Sequence, residues 1–205
     1  MIHPQHPDPW CIRQALGVIM AGGIVAYPTD TAYGLAVDAT NEEAIGKIFV
    51  IKRRTQKPLP VLVSGILMAK KYVEVGADDL VFFRKYWPGA VTFILKSKNI
   101  LPASLTLGFP SVAVRQANQP LAQALVRELN RPITCTSANI SGAGVLFSGQ
   151  EVARHFENQP MRPDLILDAG EFPNVLPSTI VDLTAHPPRI TRQGEVKVKI
   201  LRSSK

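Results

Sequence analysis

The sequence predicts an α/β domain in which a mixed β-sheet carries helices on its faces. Short apolar runs, each stopped by Pro, Gly or a polar cluster, recur along the chain, and segments of helical periodicity fall between several of them. Their order is not a strict strand–helix alternation, which would give an all-parallel sheet, so parallel and antiparallel neighbours are expected together.

Asp8-Pro9 reads as an N-cap followed by proline at the first helical position, where its missing N–H removes no bond. Ile12, Ala15, Leu16, Ile19 and Met20 then recur at helical spacing until Gly22-Gly23. Ile24-Val25-Ala26-Tyr27 is short, apolar and stopped by Pro28, the pattern of a buried strand. Thr40 with Glu43 gives a capping-box signal for a helix carrying Ala44, Ile45, Ile48 and Phe49 on one face. Further strands are expected at 59–63, 91–96, 111–116, 133–137, 164–168, 178–183 and 196–201, and helices at about 66–75, 78–86, 120–129 and 150–156. The last of these strands alternates Val196, Val198 and Ile200 with lysines, as an edge strand with one wet face does. Residues 142–149 are the best candidate for a mobile loop, and the Pro-rich stretches 159–163 and 172–177 read as connections within one domain spanning 1–205.

With 205 residues, 46% hydrophobic and 19% charged, the chain can bury a core without disulfides or a structural metal. Cys11 and Cys135 are far apart and form no CxxC pair, which excludes a disulfide framework and zinc-finger spacing. No apolar run approaches the ~20 residues that span a bilayer. The first ten residues lack the basic start and apolar stretch of a secretory signal, so a cytoplasmic location without a membrane partner is expected. The 23 Lys and Arg against 16 Asp and Glu give a formal charge of +7, which suits nucleic acid or phosphorylated small molecules, or else is a solvated basic surface.

The chain has no GxxxxGK[ST] loop, GxGxxG, HExxH or GxSxG. Its four histidines, His3, His6, His155 and His186, lie outside the dense motif-like segments, so no histidine-based nucleophile scheme is expected. Four segments are unusual for scaffolding. Tyr27-Pro28-Thr29-Asp30-Thr31-Ala32-Tyr33-Gly34-Leu35 brings hydroxyls and a carboxylate to a strand end, where open α/β sheets bind ligands; a turn bonding its own backbone is the alternative. Lys52-Arg53-Arg54 ends a capped helix, where cations either offset the dipole or clamp phosphate. In Thr134–Gly142, Ser137 and Asn139 are two apart and point to one side of an extended backbone, either to meet phosphate and ribose oxygens or to close a turn. Pro177–Leu183 and Arg189–Gly194 read as two strands, with Arg192 beside a glycine turn, free to reach a phosphate or to stand as an ordinary exposed charge.

Taken together and in order, GGIVAYPTDTAYGL, KRRTQKPLPVLV, YWPGAVTFIL, SVAVR, ITCTSANISG and PSTIVDLT–RQG resemble the successive motifs of the YrdC/Sua5/YciO family, over about residues 22–194. The chain is similar to the short form that lacks a C-terminal Sua5 domain. The resemblance implies a YrdC-like three-layer fold, a twisted mixed sheet with helices on its faces and a concave basic cavity. It implies L-threonylcarbamoyladenylate synthesis from L-threonine, bicarbonate or CO2 and ATP, with the product passed to a separate transferase for tRNA modification. By motif, Lys52 and Arg54 would hold ATP phosphates, Ser137 and Asn139 the nucleotide, Arg192 would close on it, and Ser111 would add a contact. Thr29, Arg115, Cys135 and Ser178 would bind threonine. Mg2+ would be held through phosphates rather than by protein ligands, and no covalent nucleophile is required. The pattern departs from the family where Arg53 and Thr55 replace the Gly and Pro of K-G-R-P, and in residues 142–149. A non-catalytic module binding tRNA or double-stranded RNA on the basic face, and a related enzyme adenylating another carbamate, are the competing expectations.

Overall fold

The Asp8 carboxylate accepts from the Trp10 amide at 2.8 Å and starts α1 (Pro9–Met20), which buries Ile12, Ala15 and Ile19. Gly22, at φ +76°, then turns the chain into β1 (Val25–Pro28), which is buried along its whole length. This computed structural model describes residue 3, residues 5–55 and residues 57–200. The remaining elements are β2 (Tyr33–Ala36), α2 (Glu42–Ile51), β3 (Val61–Leu62), α3 (Ile66–Tyr72), α4 (Ala77–Tyr86), β4 (Val91–Lys96), α5 (Ala103–Thr106), β5 (Ser111–Arg115) and α6 (Pro120–Leu129). They continue with β6 (Ile133–Thr134), β7 (Thr136–Ser137), α7 (Gly149–Phe156), β8 (Leu165–Ile166), β9 (Thr179–Asp182) and β10 (Arg189–Arg192).

The expected single mixed sheet is two mixed sheets. One runs β7-β2-β1-β8 and the other β10-β9-β4-β5-β3-β6. In the first, β1 is antiparallel to β2 and parallel to β8; in the second, β4 is antiparallel to β5 and parallel to β9. The division falls inside the strand expected at 133–137. Its first half pairs with β3 in one sheet and its second half with β2 in the other. Cys135 sits at the crossing, its amide donating to the Pro60 carbonyl at 2.8 Å. The Thr134 hydroxyl donates to the Leu35 carbonyl at 2.8 Å and accepts from the Val37 amide at 3.1 Å, so it fills both needs of the opened backbone.

Local signals place most elements, and tertiary pairing corrects the rest. Asn41, not Thr40, caps α2 through its Ala44 bond; Thr40 instead donates to Asp38 at 2.6 Å. The strand β2 forms where the sequence predicts none, because β1 and β7 pair on its two sides. The strands expected at 59–63, 111–116, 164–168 and 178–183 shorten to β3, β5, β8 and β9, and the helix expected at 66–75 ends at Tyr72, after which Val73 bridges to Ser97. No strand forms over 196–200, and position 201 lies outside the described residues. That segment is held instead by side chains: the Val196 carbonyl accepts from the Thr179 hydroxyl, and the Lys199 amide donates to the Tyr86 hydroxyl. Residues 146 and 147 of the expected mobile loop are bonded through their carbonyls to the Tyr33 and Phe172 amides at 2.9 and 2.8 Å. Among the described residues no helix is long and apolar enough to cross a membrane.

Under the larger sheet Phe83 stacks on Trp87 at 4.3 Å between ring centroids, with Phe93 beside both. At the end of this sheet, Gly194 donates its amide to the Thr179 hydroxyl, and Glu195 donates to the Pro177 carbonyl at 3.0 Å. A Cβ at Gly194 would overlap the Pro177 carbonyl oxygen and the Ser178–Thr179 backbone. Gly194→Ala should therefore lower the unfolding free energy by about 1–3 kcal/mol, as overpacking does. Urea unfolding checks this, and an unchanged midpoint would contradict so close an approach.

Candidate functional site

Arg115 ends β5 and is 4% exposed. A buried guanidinium needs acceptors, and three are supplied. Nε donates to the Gly89 carbonyl at 3.2 Å, Nη1 to the Thr31 hydroxyl at 3.1 Å and Nη2 to Asp30 Oδ1 at 2.5 Å. Asp30 Oδ2 also accepts from the Asn118 amide. Asp30 and Thr31 lie in the turn between β1 and β2, so this arginine of the larger sheet grips the hairpin of the smaller one.

Beside Arg115 lies a cavity of about 510 Å³ lined from both sheets. Thr92, opposite Arg115 on β4, shares a 2.8 Å hydrogen bond with the Ser178 hydroxyl. Arg192 on β10 donates from Nε and Nη2 to the Ser178 carbonyl at 3.0 and 2.9 Å, and from Nη2 to the Ser178 hydroxyl at 3.1 Å. Thr29 also lines the cavity, but its hydroxyl closes the hairpin turn: it donates to the Ala32 carbonyl and accepts from the Thr31 and Ala32 amides. The segment is thus a turn bonding its own backbone, and that turn borders the cavity. Arg54, Lys57, Arg115 and Arg192 line the same cavity, with no carboxylate among its lining residues.

A second hollow of about 310 Å³ shares Arg54, Lys57 and Ser137 with the first, so the two adjoin. Its floor is Lys52, 1% exposed at the end of α2. Lys52 Nζ donates to the Ser137 carbonyl at 2.5 Å, the Asn139 carbonyl at 2.7 Å and Asn139 Oδ1 at 3.2 Å. The Ser137 hydroxyl donates to the same Oδ1 at 2.5 Å, so the two side chains meet on one side as their spacing implies. Arg54 donates from Nε to the Lys57 carbonyl and from Nη2 to the Pro58 carbonyl, both at 2.6 Å.

Burial, and after it the neighbouring Arg54, pulls the Lys52 ammonium down to about 7. Burial also pulls the Arg54 guanidinium down; for Arg192, burial acts first and the nearby Arg115 second. Both arginines stay cationic, as arginine does in proteins. Each of these shifts marks a positive charge that gains from an incoming anion. Burial pushes the Cys135 thiol up against the opposing pull of Arg115, so it stays protonated and packs as a small apolar group.

Of the residues singled out in the sequence, Thr29, Arg54, Arg115, Cys135, Ser137, Ser178 and Arg192 line the larger cavity, and Lys52, Arg54, Ser137 and Asn139 the smaller. Ser111 lines neither; it pairs with Lys96 at the start of β5. Sequence reading missed Thr92 and Lys57 as lining residues, and had Thr31 only as one of the hydroxyls at the strand end. Thr92 had a usable signal, since it is the one hydroxyl in the apolar run Val91–Leu95.

A family model for Sua5, YciO and YrdC proteins, described as telomere recombination, matches residues 17–194. The chain is 35% identical over 192 residues to the threonylcarbamoyl-AMP synthase of Pyrococcus abyssi (strain GE5 / Orsay), covering 91% of this chain and 55% of that protein. It is 33% identical over 162 residues to the threonylcarbamoyl-AMP synthase of Psychromonas ingrahamii, covering 77% of this chain and 84% of that one. The chain thus spans little more than half the length of the first relative and most of the second. Among solved structures, P. abyssi Sua5 complexed with L-threonine superposes with a TM-score of 0.88 at 33% identity, over 95% of this chain and 57% of that chain. E. coli YciO also gives 0.88, at 29% identity over 98% of this chain and 97% of its own.

The Asp30 side chain is 14% exposed and that of Arg115 5%, so removing the carboxylate strands a buried cation. Asp30→Ala should cost about 3–5 kcal/mol of unfolding free energy. Chemical denaturation measures it. A loss no larger than the ~0.2–1 kcal/mol of an exposed pair would mean that Arg115 does not depend on this partner.

Proposed function

The chain belongs to the Sua5/YciO/YrdC family, and from that premise we propose that it joins L-threonine, bicarbonate or CO2 and ATP into L-threonylcarbamoyl-AMP, releasing pyrophosphate. The observation that carries this reading is the meeting of two adjoining hollows at Arg54, Lys57 and Ser137. One is suited to a small zwitterion and the other to phosphates.

In this reading threonine occupies the larger cavity. A guanidinium has five N–H donors, and Arg115 uses three on Gly89, Thr31 and Asp30. Two remain for the amino-acid carboxylate. The Thr92–Ser178 hydroxyl pair can exchange hydrogen bonds with the threonine hydroxyl. The triphosphate lies toward Arg54, Lys57 and the Ser137–Asn139 edge, with Arg192 closing over the junction, and the cavity as a whole is positively charged. Lys52 contributes charge from beneath and, through its three internal bonds, holds the backbone on which the nucleotide rests.

Threonine's amine attacks CO2 to give a carbamate and loses a proton to solvent. A carbamate oxygen then attacks the α-phosphorus of ATP, and the bond to pyrophosphate breaks. The carbamate and ATP are both anionic and their charges converge, so the protein's work is to gather them and stabilise the developing charge. A protonated Cys135 fits a route without a covalent enzyme intermediate. The donor set of hydroxyls and cations fits Mg2+ that arrives on phosphate oxygens, since no lining residue is a carboxylate. Bound there, the ion would neutralise triphosphate charge. The acyl adenylate would serve a separate transferase acting on tRNA, and one domain in the cytoplasm is the simplest setting for this chemistry.

Incubation with ATP, Mg2+, labelled bicarbonate and each amino acid should give threonine-dependent pyrophosphate release. Arg54→Ala and Arg192→Ala should lower it by about 10²–10³-fold, the usual loss of a positioned charge donor. No release with any amino acid, together with salt-sensitive RNA binding, would favour the RNA-binding reading. Lys52 supplies an independent check. Its ammonium, held down to about 7, is largely neutral in the free protein at about pH 8, and a triphosphate beside it favours the charged form. ATP binding at about pH 8 should therefore take up a fraction of a proton more in the native chain than in Lys52→Met. Titration calorimetry in buffers of different ionisation heats reads this, and equal uptake in both would contradict it.

A further inference from the structure

The nucleotide edge has a second anchor, on α7. The Ile140 amide donates to His155 Nε2 at 3.1 Å. Ile140 lies between Asn139 and Ser141. Among the described residues, hydrogen bonds reaching residues 139–141 from elsewhere in the chain come from Lys52 and from His155. Lys52 donates to the Asn139 carbonyl and amide oxygen and accepts from the Ser141 amide at 2.9 Å. His155 holds the residue between, half-buried in the last turn of α7 with its ring edge-on to Phe156 at 4.9 Å.

A neutral imidazole has one donor nitrogen and one acceptor. Accepting at Nε2 puts the ring's single proton on Nδ1. An imidazolium has no lone pair, so an incoming proton and the Ile140 amide compete for the same nitrogen.

We propose that His155 is a positioning residue for the nucleotide: in its neutral form it latches the Asn139-Ile140-Ser141 backbone, and protonation releases it. This rests on the reading that the Ser137–Asn139 edge receives ATP. The charged groups on the surrounding elements have their own bonds. Glu151, one turn back on α7, accepts from the Phe147 and Ser148 amides at 2.6 and 3.2 Å. Arg154 donates to Gln150, and Arg53, at the end of α2, donates to Gln159 at 2.8 Å. Lys52 is engaged as above, and Glu157 is exposed just past the helix. No carboxylate among the described residues bonds the ring, so the Ile140 bond is its link to the site.

Two variants separate the latch from packing. His155→Ala removes the acceptor, whereas His155→Gln keeps an acceptor oxygen that does not titrate. In the full chain labelled with ¹⁵N, the Ile140 amide resonance should shift on acidification with the midpoint of the His155 ring itself, and should lose that response in His155→Gln. Loss of one hydrogen bond is worth a factor of about 3–10. The dissociation constant for ATP, read by calorimetry, should rise by about that factor in His155→Ala at neutral pH and be rescued by His155→Gln, with KM for threonine unchanged. On acidification the native chain should lose about 3–10-fold more affinity than His155→Gln; that difference removes the contributions of Lys52 and of ATP's own protonation. A folded His155→Ala with native melting and native ATP affinity overturns the proposal, as does an Ile140 amide that ignores the ring's titration. A native chain that binds no ATP overturns the nucleotide reading instead, and the Ile140 amide then decides the latch by itself.

Discussion

A cation buried where two sheets meet has to be satisfied, and Arg115 is that cation. It belongs to β5 of the six-stranded sheet, yet its Asp30 and Thr31 partners stand in the hairpin of the four-stranded sheet. An unpaired guanidinium in that position would cost several kcal/mol. The hairpin turn is therefore fixed against the end of β5, and the space left beside the contact is the larger cavity. Thr29 closes the same turn with its own hydroxyl, so the rim of the cavity and a structural turn are made by one short segment.

The chain crosses between sheets a second time at Cys135, and Lys52 anchors the segment from Ser137 to Ser141. The carbonyls of Ser137 and Asn139 point to one buried ammonium, which keeps the polar end of β7 in register with α2. Both anchors are basic side chains, and Arg54 and Arg192 beside them are held down by burial. Stability and ligand preference thus share an origin. The fold tolerates a concentration of buried positive charge by bonding it to backbone oxygens, and an incoming anion would relieve what remains. At His155 a further side chain joins this set, its Nε2 accepting from the Ile140 amide.

The features legible in the sequence were those that local chemistry decides. Asp8-Pro9, the apolar run of β4 and the periodicity of α6 specify their elements without help from distant residues. Tyr33–Ala36 was not legible as a strand, because four residues containing a glycine carry little signal until β1 and β7 pair beside them. The division at Cys135 was hidden for a related reason: 133–137 is one continuous β-prone run, and only the two partner sheets say where it breaks. At 196–200 the alternation was real but unpaired, and Val198 is buried by packing instead of a ladder. Within the site, Ser137 and Asn139 were found because two-residue spacing has a direct geometric meaning. Thr92 was missed because its role arises from Ser178, distant in sequence. His155 could not have been read at all, since its partner is a backbone amide.

The most direct measurement is a crystal structure of this chain with L-threonine and a non-hydrolysable ATP analogue bound together. The account predicts the threonine carboxylate on the free N–H groups of Arg115, and the phosphates between Arg54, Lys57 and the Ser137–Asn139 edge, with the amine facing the α-phosphate. Ligands found on another face of the molecule, or in hollows too far apart for the amine-derived carbamate to reach phosphorus, would contradict it.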